Sequence, residues 1–250
     1  MLVMMAEKKN SIFVAVLLLL LPKLDVIKEL SILFCESKEL NSKVDQLTGN
    51  KVMPDIAIES VNFRKAWDLV VNNNYEELAD YLSEKVNALV KTESEVIALT
   101  AVTMHTVYDL VKEKTGVSLV SIPMAVCNEA KYRGYKRIGL LGTIFTMEQD
   151  YMKKDFVNAG IEVIVPSSED RQLVAKRIYE ELENGIVKES TLSEFNDIIL
   201  RMKNEHDIEA VVLGCTELPL LLNDDNSILP CLDSVAIHIN ELINLARKDV

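Results

Sequence analysis

The sequence predicts an α/β protein with two pseudo-symmetric lobes, each a parallel-type sheet flanked by helices. Short apolar runs bounded by glycine or proline alternate with amphipathic stretches of helical spacing, a pattern typical of βαβ units. The run Val-Ile-Ala-Leu-Thr ending at Thr100 resembles Val-Val-Leu-Gly-Cys ending at Cys215, about half the chain further on. We therefore expect a first lobe of residues 1–116 plus 231–250 and a second of residues 117–230. The closing helix would return to the first lobe.

Apolar periodicity and glycine, proline and asparagine breakers set the limits of the predicted elements. A polar stretch from Asn41 to Pro54 predicts a loop. The predicted strands are Ser11 to Pro22, Asp55 to Val61, Glu95 to Leu99, Val117 to Pro123, Lys136 to Leu141, Ile161 to Val165, the run before Cys215, and Ile228 to Leu232. The predicted helices are Leu24 to Leu40, Tyr75 to Lys91, a helix through Lys114, one from Pro123 to about Tyr135, one ending at Gly160, Glu169 to Asn184, Thr191 to Glu205, and Ser234 to Arg247.

The apolar run within Ser11 to Pro22 follows Lys8-Lys9 and so also resembles a secretion signal. A membrane-spanning helix needs roughly 20 apolar residues, and this run has ten. No small-x-small cleavage site follows it. We interpret the run as a buried first strand, with an export or anchoring segment as the alternative, and we expect no membrane partner.

Composition excludes several classes of function. The 250 residues carry a net charge of −12, with basic residues scattered among acids, whereas nucleic-acid binding needs clustered lysine and arginine. The four cysteines are widely and irregularly spaced and have no histidine at zinc-site spacing. We therefore predict no nucleic-acid partner, no metal site, and reduced thiols in a cytoplasmic protein.

Three predicted strand exits carry small polar residues: Thr100 to His105, Thr143 to Thr146, and Cys215 to Glu217. In open α/β sheets, ligands bind beyond the carboxyl ends of the strands. Hydroxyls and backbone N–H groups at helix starts can bind carboxylates there. The alternatives are helix capping for the threonines and a small buried hydrophobe for Cys215.

Several motifs together carry a family resemblance. They are Ser60-Val61-Asn62-Phe63, Thr103-Met104-His105, Leu140-Leu141-Gly142-Thr143-x-x-Thr146-Met147-Glu148-Gln149-Asp150, Tyr179-Glu180-Glu181-Leu182, Gly214-Cys215-Thr216-Glu217, and Leu229-Pro230 through Asp233 to Ile237-His238. In order and rough spacing, this set resembles the aspartate/glutamate racemase superfamily. It is most similar to broad-specificity or L-aspartate/glutamate-directed amino acid racemases.

The resemblance implies an active site between the lobes and racemisation without a cofactor, in which two cysteines flank the substrate α-carbon. Cys215 matches the second cysteine, whose pKa must fall from about 8.5 for this role. Hydrogen-bond donors to the substrate carboxylate would stabilise enolate-like charge. The positions that match this task are Thr103, Thr143, Thr146 and Thr216. His105 and Glu217 match residues near the site, where capping and supporting hydrogen bonds are the expected roles.

The first half departs from the family pattern. The first acid/base position falls on Ala101 and the family's asparagine on Val102, so two substrate-facing positions lack polar groups. Thr100, one residue away, could serve as a weak acid after a one-residue shift. The family's glycine-rich turn after the first strand is replaced by Leu17 to Leu21, and leucine adopts positive φ only at a cost.

The leading hypothesis is thus a racemase-like protein acting on aspartate, glutamate or a similar small acid, with a homodimer as a possible assembly. The first alternative is a single-cysteine decarboxylase-type lyase, which needs only one acid. The second is a degenerate homologue that binds an acid or merely folds. Candidate partners for a side-chain carboxylate are Arg64, Lys65 and Arg171.

Overall fold

The structure is a computed structural model that describes residues 13–20, 55–92, 94 and 96–248. The predicted helix Leu24 to Leu40 and the loop Asn41 to Pro54 lie outside these ranges. Within them, no helix has both the length and the apolar character needed to cross a membrane.

The first half of the chain forms a four-stranded parallel sheet in the order β2-β1-β3-β4. The apolar run near the N-terminus is confirmed as a strand, and it pairs with strands on both sides. The strands are β1 (Phe13–Leu20), β2 (Asp55–Asn62), β3 (Val96–Leu99) and β4 (Leu119–Val120). The helices are α1 (Phe63–Val71), α2 (Tyr75–Val90), a 3-10 helix (Val102–Val107) and α3 (Tyr108–Thr115).

The second half repeats this arrangement in a parallel sheet of order β6-β5-β7-β8. The strands are β5 (Arg137–Leu141), β6 (Glu162–Ile164), β7 (Ala210–Leu213) and β8 (Cys231–Asp233). The helices are α4 (Ile122–Tyr132), α5 (Ile144–Glu148), α6 (Lys154–Asn158), α7 (Ser168–Glu180), α8 (Glu189–His206), α9 (Ser234–Lys248) and two 3-10 helices (Leu182–Asn184 and Leu218–Leu220). The predicted α/β class with parallel sheets is confirmed.

Strand register makes the two halves directly comparable. Leu17 pairs with Leu99 in the first sheet, and Leu141 pairs with Leu213 in the second. The strands β3 and β7 therefore end at equivalent positions in their sheets. Two residues beyond each end lie residues 101 and 215, so the counterpart of the Cys215 position in the first half is occupied by alanine.

The core is apolar on both faces of each sheet, as buried parallel strands require. In the first sheet, α2 packs on one face through Leu78, Leu82 and Val86. The closing helix α9 packs on the other, where Ile239 and Leu242 lie in one cluster with strand residues of β3 and β4. The expected return of the closing helix to the first sheet is thus observed.

The chain passes from one half to the other at two points, and both lie a few residues later than predicted. The strand Leu119–Val120 belongs to the first sheet although the second lobe was expected to begin at 117. The strand Cys231–Asp233 belongs to the second sheet although residues 231–250 were assigned to the first lobe. We retain the division into two lobes as a proposal, with crossings after Val120 and after Asp233.

One helix was not predicted, and several predicted elements were wrong in extent. Helix α1 was missed; it begins where the Asn62 side chain accepts a hydrogen bond from the Lys65 backbone N–H. The strand predicted over Val117 to Pro123 ends at Val120 because Ser121 caps α4 and Pro123 lies in its first turn. The helix predicted to end at Gly160 is divided into α5 and α6.

Candidate functional site

Two glycines bring the exits of β5 and β7 together. The backbone N–H of Gly214 donates to the Leu141 carbonyl at 2.8 Å. A Cβ atom at Gly214 would lie 2.8 Å from that carbonyl oxygen and 2.9 Å from the Thr146 methyl carbon, and a Cβ at Gly142 would lie 2.8 Å from the same methyl. These contacts are shorter than packed atoms allow, so glycine at each position makes room for the Thr146 side chain.

A cluster of hydroxyl groups occupies this exit. Thr143 caps α5 by accepting from the Thr146 backbone N–H, and the two threonine hydroxyls are 3.1 Å apart. The hydroxyl of Thr146, which is fully buried, lies 2.9 Å from that of Tyr151. The side chain of Thr103, from the first half, lies near enough to interact with the Tyr151 phenol and lower its pKa. Three of the four predicted carboxylate-binding threonines are therefore joined in one network, which we call the hydroxyl cluster (Thr103, Thr143, Thr146, Tyr151).

The tyrosine in this cluster was missed by the sequence reasoning. Tyr151 directly follows the last residue of the matched motif, and that adjacency was the available signal. Burial raises the pKa of Tyr151 to about 12, and negative charge on Cys215 would raise it further, whereas the interactions with Thr146 and Thr103 lower it. At neutral pH the phenol therefore keeps its proton.

Cys215 lies at the exit of β7 and is 8% exposed. Its thiol donates to the Oε2 atom of Glu217 at 2.9 Å, and the Thr216 hydroxyl donates to the same oxygen at 2.8 Å. Burial raises the pKa of the Cys215 thiol well above its ordinary value, and the negative charge of Glu217 and its hydrogen bond raise it further. This direction is opposite to the lowering that the sequence reasoning required.

The raised pKa keeps the Cys215 thiol protonated at neutral pH, and a Glu217 carboxylate oxygen is hydrogen-bonded to it. Such a pair can donate a proton directly from sulfur. It can also form a thiolate if Glu217 accepts the proton. Cys215 also packs in an apolar cluster with Leu213 and Leu218, so the thiol is held in one place.

The exit of β3 is chemically different. Ala101 is partly buried and packs against the core of the first half. Val102 is 5% exposed and packs with Ile122 and Leu140. Neither side chain offers a polar group to a substrate at the positions predicted to bind it. Thr100, the predicted weak acid, is partly buried just beyond β3.

Two buried histidines hold the backbone of the β4–α4 connection. The Nδ1 atom of His105 lies 3.1 Å from the Val102 carbonyl oxygen, and its Nε2 atom accepts from the Ile122 N–H at 3.1 Å. His238 contacts the Val120 carbonyl through Nε2 at 3.2 Å. Burial lowers the pKa of His105 to about 3, assisted by His238, and lowers the pKa of His238 to about 4. Both rings are neutral at pH 7, and their hydrogen bonds to backbone atoms hold this connection in place.

Another motif of the family resemblance also has a structural role. Glu181 is buried at the end of α7, where it accepts from Thr191 at 2.5 Å, Arg177 at 2.8 Å and Lys188 at 3.0 Å. The Thr191 hydrogen bond lowers the pKa of the carboxyl, followed by the contributions of the two cations, against a raising effect of burial. This network joins the end of α7 to the start of α8.

The three cations considered as partners for a substrate carboxylate lie elsewhere. Lys65 lies 4.1 Å from the centre of the Tyr81 ring. Arg171 donates to the Pro166 carbonyl and lies 3.5 Å from a Glu148 oxygen. Arg64 is exposed on α1. In the described part of the chain, no group of three or more histidine, cysteine, aspartate or glutamate side chains is placed to hold a metal ion.

A cleft of about 500 Å³ lies beside the hydroxyl cluster, between the two halves. We call it the α3–α6 cleft because helices α3 and α6 contribute to opposite sides. Tyr151 belongs both to its lining and to the hydroxyl cluster, whereas Cys215 does not line it. Its lining includes Tyr75, Tyr108 and Lys112 from the first half and Tyr151, Lys154 and Asp155 from the second.

Comparisons with known proteins agree with this architecture. A crystal structure of a candidate Asp/Glu racemase from Yersinia pestis is 29% identical, with a TM-score of 0.83 and coverage of 95% of this chain and 100% of that chain. An aspartate racemase homologue from Pyrococcus horikoshii OT3 is 30% identical, with a TM-score of 0.78 and coverage of 94% and 98%. Arylmalonate decarboxylase is similar in fold alone, at 12% identity and a TM-score of 0.54, with coverage of 94% and 92%.

A family model covers most of the sequence. The model described as Asp/Glu/hydantoin racemase matches residues 37–242, a range that contains β2 to β8, the hydroxyl cluster and Cys215. The repeated sheet order, the strand-exit site and this match lead to the same assignment. The chain belongs to the Asp/Glu/hydantoin racemase family.

Proposed function

We propose that the protein racemises an α-amino acid without a cofactor, with Cys215 as the acid and base on one face of the α-carbon. The observation that carries the proposal is the shared acceptor at the exit of β7. The Cys215 thiol and the Thr216 hydroxyl both donate to Oε2 of Glu217. This arrangement connects a thiol that exchanges protons to a carboxylate that can receive one.

The hydroxyl cluster supplies the second part of the chemistry. Removing the α-proton of an amino acid places negative charge on its carboxylate, and fixed donors stabilise that charge. Thr143 and Thr103 are partly exposed members of the cluster, one from each half. In the proposed mechanism, they hold the substrate carboxylate while Cys215 exchanges the proton.

The opposite face of the substrate has a weaker proton donor. Ala101 occupies the position equivalent to Cys215 and carries no exchangeable side-chain proton. We propose that Thr100, directly or through water, serves that face. The equilibrium constant between enantiomers in water is one, so unequal faces cannot favour either direction in kcat/KM. They instead make exchange and inversion separable steps with different rates.

The names of the structural relatives make aspartate and glutamate the first substrates to test. The structure also favours one alternative reaction. A decarboxylase-type lyase needs a single acid to protonate the carbanion left by carbon dioxide, and Ala101 would cost it nothing. A homologue that binds an acid without turnover is the third candidate.

Proton NMR in D2O separates these functions. The purified protein is incubated with each enantiomer of aspartate and glutamate and with an arylmalonate, and α-deuterium and optical rotation are followed. The proposal predicts α-deuterium incorporation into an amino acid together with loss of chirality. Incorporation with full retention would indicate one working base, and a deuterated monoacid from arylmalonate would support the lyase. Silence with every substrate would contradict racemisation of these two acids and the lyase alternative.

A further inference from the structure

The α3–α6 cleft is large for a small acidic substrate, and its charge is unsuited to a second carboxylate. Its lining contains three aspartates, Asp109, Asp150 and Asp155, against two lysines, Lys112 and Lys154. The whole chain carries a net charge of −12. An additional carboxylate entering this cleft would meet an excess of like charge.

The pairing of these groups leaves two lining residues for which the described residues provide no ion pair: the partly buried Asp155 and the exposed Lys112. Lys154 is ion-paired with Asp109 across the cleft. Asp150 is 97% exposed at the side chain and lies 3.8 Å from Lys153. Within the residues that the structure describes, no hydrogen bond or ion pair engages the carboxylate of Asp155, which is partly buried. Burial raises the pKa of the Asp155 carboxyl, nearby Lys154 opposes this, and Asp109 adds to the rise. The partly buried carboxylate therefore has no directly bonded cation of its own among the described residues.

Aromatic side chains line the same cleft. Tyr75, Tyr108 and Tyr151 contribute to its walls, and their polar ends are engaged elsewhere. The Tyr108 hydroxyl donates to the Leu119 carbonyl, the Tyr75 hydroxyl donates to Asn73, and the Tyr151 hydroxyl belongs to the hydroxyl cluster. Aromatic walls beside an unpaired carboxylate are suited to the methylene stem and cationic end of a long side chain.

We propose that the α3–α6 cleft receives the side chain of the amino acid whose α-carbon lies at Cys215, and that it selects a long side chain ending in an ammonium or guanidinium group. This inference rests on the proposed function, since Tyr151 is the wall shared by the hydroxyl cluster and the cleft. Asp155 is the specificity-determining residue that pairs with the cation. The substrate class is therefore basic amino acids, in contrast to the acids named for the relatives.

The test compares L-lysine, L-norleucine and L-glutamate as substrates for α-deuterium exchange in D2O, alongside their binding by calorimetry. Norleucine has the stem of lysine without the ammonium group. The proposal predicts the highest kcat/KM for lysine. In D155N, kcat/KM for lysine falls about ten-fold or more because one charged hydrogen-bonded contact is lost, while norleucine changes little. In D155K, the preference shifts from lysine toward glutamate.

The matched control is D225N, which removes the same charge from an exposed loop residue that does not line the cleft. It should leave all three substrates unchanged. Exchange of glutamate with none of lysine, or an equal effect of D155N on lysine and norleucine, would overturn the inference and leave the racemase proposal intact. No exchange with any amino acid would overturn the racemase proposal. In that case, lysine binding that exceeds norleucine binding and disappears in D155N would still support the cleft assignment, and its absence would overturn it.

Discussion

The two halves of this molecule share a sheet order but differ in the residues beyond the third strand. After β7, Gly214 turns the chain and Cys215 presents a thiol to Glu217. After β3, the equivalent turn carries Thr100, and Ala101 packs against the core. One half can therefore supply the acid/base group while its counterpart keeps the same backbone position with an inert side chain.

The exits of β1 and β5 also differ, and again the second half supplies the candidate site residues. β5 ends at Leu141, and Gly142 and Thr143 lead into α5. β1 continues for three residues past the equivalent position, as far as Leu20. The second half therefore provides the capped helix start and its hydroxyl cluster, and the first half contributes Thr103 from the 3-10 helix after β3.

Restoring the missing group would remove the difference between the halves. Ala101→Cys places a thiol at the position equivalent to Cys215, and we expect exchange at the slower face to rise by about 10²-fold, as general acid/base groups typically contribute. Deuterium incorporation measured separately from each enantiomer checks this. Ala101→Ser is the matched control, because a hydroxyl there is a much weaker acid. A folded Ala101→Cys protein with unchanged rates would refute the proposed equivalence.

Removing the charge beside the thiol should separate acidity from activity. In Glu217→Gln, the pKa of Cys215 falls toward its ordinary value because the repelling charge is gone, although burial and the more distant Glu183 still raise it. Exchange nevertheless falls about ten-fold, since the proton acceptor is lost. Thiolate absorbance against pH, with Cys215→Ser subtracted, reports the first change, and NMR in D2O the second. An unchanged thiol pKa would mean that Glu217 does not set it.

A methyl group at the turn of the second half should strain the packing. Gly214→Ala places Cβ 2.8 Å from the Leu141 carbonyl oxygen, so we expect the free energy of unfolding to fall by about 1–3 kcal/mol. Urea unfolding measures it. Asn87→Ala, on the exposed side of α2, is the control and should change stability little. Wild-type stability in Gly214→Ala would show that the turn can open without cost.

The buried histidines predict a dependence of stability on pH. Both folded pKa values, about 3 for His105 and about 4 for His238, lie below the ordinary 6.5. The unfolded chain therefore binds protons first, and stability present above pH 6.5 declines as the pH falls, by up to about 1.4 kcal/mol per pH unit for each ring. Urea unfolding at pH 7 and pH 5.5 tests this, above the main carboxylate range. Replacing the exposed His206 by glutamine should leave the slope unchanged; equal stability of the wild type at both pH values would contradict it.

Much of the fold could be predicted from sequence because its central strands are continuous apolar runs. Phe13–Leu20, Arg137–Leu141 and Ala210–Leu213 were all found within a few residues of their limits. The errors fall where a local signal supports two structures. Pro123 suits both a strand end and the first turn of a helix, and the capping hydrogen bond from Met124 to Ser121 decides between them.

The motifs identified candidate site residues, whose roles remain predictions, but they did not indicate the electrostatics of the site. Thr143 and Thr146 lie together at one strand exit, and Tyr151 joins them because the chain turns between α5 and α6. Burial is the main cause of the raised Cys215 pKa, and Glu217, which folds back onto the thiol two residues earlier, raises it further. Spacing alone reveals neither the burial nor that contact, which is why a lowering was expected.

The most direct test of the central claim is α-deuterium incorporation by Cys215→Ser compared with Cys127→Ser, which makes the same thiol-to-hydroxyl change in a buried cysteine outside the site. The account predicts that Cys215→Ser loses exchange by about 10²–10⁴-fold while Cys127→Ser keeps it. Exchange that survives in a folded Cys215→Ser protein at the wild-type rate would contradict the account.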